Sequence, residues 1–404
     1  MQLSRPSKTS DPLGCYYTKP AVGALLVTAM GIECPSTVVD ICVGDGALIR
    51  EAAKQWEGTR FITVDIEEKG KCTLLQTLNE RVITHHVRDS LDLDLANHLG
   101  LRWGEADMAL CNPPYIRPKW KKQFLEILED AGLSHVLPRM REIPADLLFI
   151  AQNLRLLRQG GRLGLILPDG IVAGEKYSVF RKTLLMNHQV ERVIELPRRI
   201  FRNTDAKAHI VIVSKHSNRS ESISIQRLEQ NGKLSPQLQV TADNAAKRLD
   251  YSYISSAYRN ISHGQQKIAE VVIEVFRGSY SSLDRRFADF PVFHTSNFSP
   301  DSAFVPQKYQ LTSDAVKNVV GKSALPGDIL VARVGRNLSQ KVCMVRTGKV
   351  AISDCILLLR VLPEYRQAVF SYLSSESGRL ALEAGSHGVG AKFLTVRSLM
   401  ELVF

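Results

Sequence analysis

The chain has 404 residues, 44% of them hydrophobic and 23% charged, a balance that suits two soluble domains with a core in each. No apolar run approaches the roughly 18–20 residues of a membrane helix, and the polar stretch from Met1 to Asp11 lacks a signal-like apolar region, so a cytoplasmic protein with no membrane contact is expected. The net charge of +11 points to a polyanionic partner, because bound cations displace counterions from phosphates. The seven scattered cysteines contain no C-x-x-C pair, which argues against a disulfide framework or a metal site and for buried free thiols.

In chain order, Tyr16-Tyr17-Thr18-Lys19-Pro20 precedes an amphipathic helix over 21–30, with Thr18 as its expected N-cap and Pro20 in its first turn. Residues 38–43 read as a buried strand, followed by a glycine turn and a helix over 47–55. Further buried strands are expected at 61–64 and 108–111. A helix over 147–157 is expected to stop at Gly160-Gly161, and strands follow at 163–167, 192–196 and 209–214. His85 and His86 read as surface residues. Continuous apolar strands separated by helices predict an α/β domain with helices on both sheet faces.

The texture changes after Lys215. Residues 216–248 are rich in Ser, Asn, Gln and charge, and their later part reads as a linker or loose edge, with a boundary near residue 245. Strand-like runs at 291–293, 328–332, 342–345 and 355–361 and a helical period over 365–384 predict a mixed α+β second domain over 246–404.

The most informative segment is the apolar run into Asn112-Pro113-Pro114-Tyr115. Two prolines fix φ and offer no N–H, so the turn is rigid and presents carbonyls without competing donors. The Asn112 carboxamide oxygen and the Pro113 carbonyl can together accept both hydrogens of an NH2 group, and the Tyr115 ring can stack on a planar ring. An exocyclic amine is a poor nucleophile because its lone pair is delocalised. Two acceptors favour its rehybridisation and stabilise the charge that develops on attack. Carbon-5 methylation of cytosine would need a Cys nucleophile, usually after Pro, and no Pro-Cys dipeptide is present.

Asp40-Ile41-Cys42-Val43-Gly44-Asp45-Gly46 places glycines between a strand and a helix, where a backbone can approach a ligand closely. Asp65 ends the next strand and suits a ribose hydroxyl pair. Asp89 suits an adenine amine, or a helix cap. Arg117, Lys119, Lys121 and Lys122 follow the catalytic turn and suit phosphates, and each singly suits a solvated loop.

Together these segments resemble the gamma class of N6-adenine DNA methyltransferases over roughly 11–215. The shared order is a Tyr-Thr-x-Pro segment, the cofactor glycine turn, then Asn-Pro-Pro-Tyr. The stretch from Leu156 to Pro168 and Ile194-Glu195-Leu196-Pro197 followed by Phe201 extend the likeness. Ile41 stands where the family often has Pro, a small loss of rigidity. More loosely, Phe276-Arg277-Gly278, Pro326 to Gly335 and Phe393-Leu394-Thr395 are similar to target-recognition domains of these enzymes and of type I restriction specificity subunits.

The resemblance implies a Rossmann-like class I S-adenosylmethionine-dependent methyltransferase domain over 1–245 and a DNA target-recognition domain over 246–404. It implies S-adenosylmethionine as cofactor, held by Tyr17, Thr18, Asp40, Gly44, Gly46, Asp65, Asp89 and Asn112. Phe201 becomes the second aromatic wall for a flipped adenine, opposite Tyr115. Arg199, Arg202, Lys207, Arg333 and Arg336 join the phosphate cluster as DNA contacts.

The implied partners are double-stranded DNA and a cognate restriction endonuclease, with no room in this chain for a nuclease domain. A solitary epigenetic role, and monomer or homodimer, stay open. Glutamine N5 methyltransferases and RNA adenine methyltransferases pose the same amine problem, and a DNA-binding subunit without turnover is a third reading. The glutamine enzymes carry their extra domain before the methyltransferase fold, the turn does not distinguish RNA from DNA, and intact Asn112, Tyr115, Asp65 and Asp89 speak against a subunit without turnover.

Overall fold

The computed structural model describes residues 18–31, 34–68, 82–139, 142–198, 200, 207–216, 222–256, 266–299, 302–319, 321–388 and 391–404. It divides between Tyr251 and Ser252 into two units.

Among the described residues of the first unit, nine strands form one sheet. They are Thr37–Asp40 (β1), Arg60–Asp65 (β2), Ile83–Val87 (β3), Ala106–Cys111 (β4), Leu157–Pro168 (β5), Gln189–Glu195 (β6), Ala208–Ser214 (β7), Ser222–Arg227 (β8) and Leu238–Thr241 (β9). Their order is β3-β2-β1-β4-β5-β7-β6-β8-β9. β1 to β5 are parallel, and β7 runs antiparallel between β5 and β6. Val38, Val39, Ile62, Met108, Ala109, Leu163 and Ile166 are fully buried, as covered parallel strands require.

The chain leaves β1 for β2 on one side and returns to pair β4 on the other. This is the topological switch point, where loops diverge and leave a crevice beyond the strand ends. The turns after β1 and β4 flank it.

The helix Pro20–Met30 lies against β5, where a Cβ on Gly164 would meet Met30 Sδ at 2.7 Å and Leu26 Cδ1 at 3.0 Å. The close approach brings the start of that helix to the same end of the sheet.

Several expectations need correction. The helix Ala145–Leu156 ends before the glycine pair, and Leu157 already belongs to β5. Gly160, at φ 70°, sits where the β4–β5 register shifts between Ala106 and Met108, so the pair serves a bulge and not a helix stop. β3 was not expected, because its His85 and His86 hide the strand period. Both are half-buried, and His85 Nδ1 lies 2.9 Å from Thr63 Oγ1.

The stretch whose later part reads as a linker or loose edge falls in the first unit, where β9 is an edge strand of the sheet. Ile223 and Ile225 alternate with polar residues and are buried, which makes β8 a one-faced strand beside β6. The helix Ala242–Lys247 follows β9, and Arg181 donates to Ala246 O at 3.1 Å and to Lys247 O. Of the thiols, Cys111 and Cys343 are buried, whereas Cys34 is exposed.

The second unit is built on Val272–Arg277 (β10), Ile356–Val361, Ile329–Ala332 and Val342–Met344, an antiparallel sheet in that spatial order. Both faces are covered. Ile329, Val331, Leu357 and Leu359 pack with Val369, Leu373 and Leu382 on one side. Leu330, Leu358 and Ile356 pack with Phe293, Val305 and Val350 on the other. The expected single helix is two, Arg366–Ser374 and Glu376–Gly385, because Ser375 breaks the first and caps the second through Gly378 N at 3.1 Å. Among the described residues no helix is long and apolar enough to cross a membrane.

Candidate active site

β1 ends in Asp40, and the turn that follows needs its glycines. Gly44 at φ 54° and Gly46 at φ 80° lie in the left-handed region that penalises side chains, and Gly46 is the N-cap of the helix Ala47–Gln55. Asp65, at the end of β2, reaches across to this turn. Its Oδ2 accepts from Gly44 N at 2.8 Å and its Oδ1 from Glu67 N at 3.0 Å. Asp40 is buried, and its Oδ1 accepts from Cys42 N at 3.1 Å. Burial, with Asp65 and Asp45 adding repulsion, pushes its carboxyl up to about 7. A buried acid facing two other acids favours a cationic ligand.

β4 runs into the Asn112–Tyr115 turn. Asn112 Nδ2 donates to Thr18 Oγ1 at 3.1 Å, and Tyr115 Oη lies 2.9 Å from Asn112 Oδ1 and 3.2 Å from the Ile166 carbonyl of β5. Cys42 Sγ is 3.3 Å from the Asn112 carbonyl and 3.2 Å from Cys111 Sγ. These contacts bind the two turns at the switch point into one unit. Thr18 does not hold the cap position of the first helix: Lys19 is the N-cap residue, and among the described residues no side chain caps the helix.

Asp89 follows β3 and accepts from Leu91 N at 3.0 Å, with Lys121 Nζ at 3.4 Å. Arg117 pairs with Glu142 at 2.7 Å in solvent. Lys119 and Lys122 are exposed.

Lys207 departs from its expected place at a phosphate. Its ammonium lies 3.0 Å from Glu195, 3.8 Å from Asp169 and 3.8 Å from Asp250, largely shielded from solvent. Burial opposes its charge, but the three carboxylates outweigh that and raise its pKa. Burial likewise opposes ionisation of Asp169. The hydrogen bond to His209 and the charges of Lys207 and Arg248 outweigh it and hold that carboxyl well below the usual range.

In the second unit, Arg333 donates to Asp354 O at 2.9 Å and Arg336 is exposed. Tyr17, Arg199, Phe201 and Arg202 lie outside the described residues.

Asp146 was not anticipated. It opens the helix Ala145–Leu156, whose Ala145 N bonds the Ile116 carbonyl just past the Asn112–Tyr115 turn. Burial pushes its carboxyl up to about 7. Its one signal in sequence is a carboxylate in the first turn of a helix with an otherwise apolar start.

A parallel sheet with an antiparallel seventh strand, a glycine turn tied to an acid at the switch point, and a rigid polar turn beside it define a class I S-adenosylmethionine-dependent methyltransferase, and S-adenosylmethionine is the donor such a fold takes. Within that class the chain belongs to the N-6 DNA methylase family, which matches residues 4–275.

Over 224 residues it is 26% identical to the type I restriction enzyme MjaVII methylase subunit of Methanocaldococcus jannaschii, covering 52% of this chain and 38% of that subunit. The fold is similar to the type IIG restriction endonuclease BpuSI, with a TM-score of 0.54 and 15% identity over 97% of this chain and 59% of that one. A type I restriction-modification methyltransferase subunit from Streptococcus thermophilus gives a TM-score of 0.46 at 21% identity, over 64% of this chain and 55% of that one. The chain therefore spans less than two thirds of each of these proteins.

Proposed function

We propose that the chain methylates the N6 amine of adenine in duplex DNA, within a restriction-modification system or as a solitary modifying enzyme. The observation that carries this reading is the Asn112 carboxamide, fixed between Thr18 and Tyr115 on a proline-rigid turn beside the cofactor turn. A planar amine laid there meets two acceptors, Asn112 Oδ1 and the Pro113 carbonyl, and a ring to stack on. The target base has to leave the helix, because a stacked and paired amine cannot reach the cofactor. Tyr115 would cover one face of it and Phe201 the other.

Asp40, Asp65 and Asp89 would suit a ligand that carries a sulfonium and an ammonium. Asp65 would take the ribose hydroxyls once its bond to Gly44 N is exchanged, Asp89 the cofactor adenine, and Asp40 would stabilise the positive end. Bound there, S-adenosylmethionine supplies an electrophilic methyl group. Asn112 and Pro113 draw the amine hydrogens out of the ring plane and so return the lone pair to nitrogen. Residues 252–404 would read the DNA sequence, with Arg336 and Arg333 among their contacts. The likeness to a type I methylase subunit supports a nuclease partner, which would cut DNA that this chain leaves unmodified.

The test is incubation of the full chain with labelled S-adenosylmethionine and, separately, duplex DNA, RNA and release-factor protein. Label in N6-methyladenine of DNA, lost in Asn112→Ala, is the expected result. Asn112→Ala should keep DNA affinity, since phosphates supply most of it. Label only in glutamine or in RNA, or wild-type rates for Asn112→Ala, would overturn the reading.

A further inference from the structure

Five residues beyond Tyr115 the chain holds an indole in water. Trp120 keeps 55% of its surface exposed. Of the other two tryptophans, Trp56 is buried and Trp103 lies under the Arg155 guanidinium, 4.0 Å from the ring centre. Large aromatic side chains are ordinarily withdrawn from solvent or covered at an interface. The Trp120 ring rests against one neighbour. Buried Phe124, in the first turn of the helix Gln123–Asp130, meets it edge to face with centroids 5.7 Å apart and planes at 83°.

Its neighbours in sequence are basic. Arg117, Lys119, Lys121 and Lys122 are all exposed around it in sequence. Arg117 and Lys121 face single carboxylates, Glu142 and Asp89. Lys119 and Lys122 have no ion-pair partner among the described residues. A docking patch for a folded protein would surround the indole with apolar residues and deplete it of lysine. An aromatic platform between lysines is instead the composition that holds nucleic acid, with charge for phosphates and a ring for a base.

We infer that Trp120 stacks on a base of the DNA next to the target adenine, which makes it a substrate-positioning residue of the proposed reaction. The inference rests on the reading of this site as a DNA adenine methyltransferase. Five residues span at most about 17 Å, so Trp120 stays within reach of the duplex whose adenine is held at Tyr115. Extrusion of that adenine uncovers the apolar faces of its neighbours, and an exposed indole beside Phe124 can cover one.

The experiment uses the full chain and a duplex bearing its methylated site, identified by sequencing DNA that the wild-type protein has modified. Trp120→Ala is expected to raise KM for that duplex about tenfold, with kcat within about twofold and S-adenosylmethionine affinity unchanged. Trp120→Phe should recover most of the loss, because a ring face is retained. In the wild type, tryptophan emission should fall on DNA binding, and should not in Trp120→Phe. 2-Aminopurine placed beside the target should be dimmer in the wild-type complex than with Trp120→Ala.

An unchanged KM in Trp120→Ala, or a raised KM that Trp120→Phe does not repair and that 2-aminopurine does not follow, overturns the inference. If Trp120→Ala loses cofactor affinity through misfolding, the emission of Trp120→Phe decides alone. A wild-type protein that methylates RNA or protein but not DNA would overturn the underlying reading instead, and is seen before any variant is made.

Discussion

Thr18 Oγ1 accepts a hydrogen bond from Asn112 Nδ2 at 3.1 Å, across 94 positions of sequence. The contact joins the segment before the first helix to the turn after β4. It also leaves Asn112 Oδ1 on the opposite side, towards Tyr115. A hydroxyl that looked like a helix cap thus orients the acceptor that the proposed chemistry needs.

Thr18→Val should therefore lower kcat about tenfold, the loss expected for one net hydrogen bond that holds a reacting group. KM for DNA should be nearly unchanged. Thr18→Ser should restore the rate. Steady-state kinetics at saturating cofactor check this, and equal rates for Thr18→Val and wild type would remove the contact from the mechanism.

Asp40 gives the site a pH dependence. Below pH 7 its carboxyl, pushed up to about 7 by burial, is largely neutral in the free protein. A positively charged ligand favours the ionised form, so binding releases a proton there. Cofactor affinity should rise as pH increases from about 6 to about 8 and then level off. Asp40→Asn should bind more weakly and flatten the profile. Calorimetry in buffers of different ionisation enthalpy measures the proton released.

The buried cluster of Lys207 with Glu195, Asp169 and Asp250 is expected to matter for folding. Lys207→Met would leave buried carboxylates short of their cation, at a cost of about 3–5 kcal/mol. Denaturant unfolding should show that loss. The salt dependence of DNA binding by the folded fraction should be unchanged, and a shallower slope would return Lys207 to the phosphates.

The boundary between the units can be tested by length. A chain ending at residue 245 loses Arg248 and Asp250, which pair at 2.7 Å, and the 246–247 carbonyls that Arg181 holds. A chain ending at residue 251 keeps them. The longer chain should fold cooperatively and bind S-adenosylmethionine without site-selective methylation, while the shorter should aggregate or unfold at lower temperature. Site-selective methylation by the longer chain would put recognition in the first unit.

Asp65→Ala should weaken cofactor binding by on the order of 1–3 kcal/mol, from lost acceptor bonds. The Gly44 N–H would also lose its partner. Unchanged affinity by calorimetry would separate Asp65 from the cofactor.

Much of the first unit was legible from sequence because its central strands are continuous apolar runs and its turns are marked by glycine and proline. Such signals are local: Gly44 and Gly46 announce a left-handed turn, and Pro113-Pro114 a rigid one. The polar outer strands were not legible. His85 and His86 obscured β3, and β8 shows only two buried isoleucines in a polar stretch. Ser375 breaks a helix whose period runs on through it, because its hydroxyl takes a backbone amide that the helix leaves unpaired.

By itself, the sequence determined the order of the motifs, the rigidity of the Asn112–Tyr115 turn and the family. Only the tertiary structure decided which partners the polar groups take. Thr18 turned from cap to anchor, Lys207 from phosphate ligand to buried counter-ion, and Asp40 became an acid of unusual pKa. The reason is physical. Secondary structure follows from patterns a few residues long, whereas hydrogen-bond partners and desolvation depend on strands that meet only when the sheet closes the chain at its switch point.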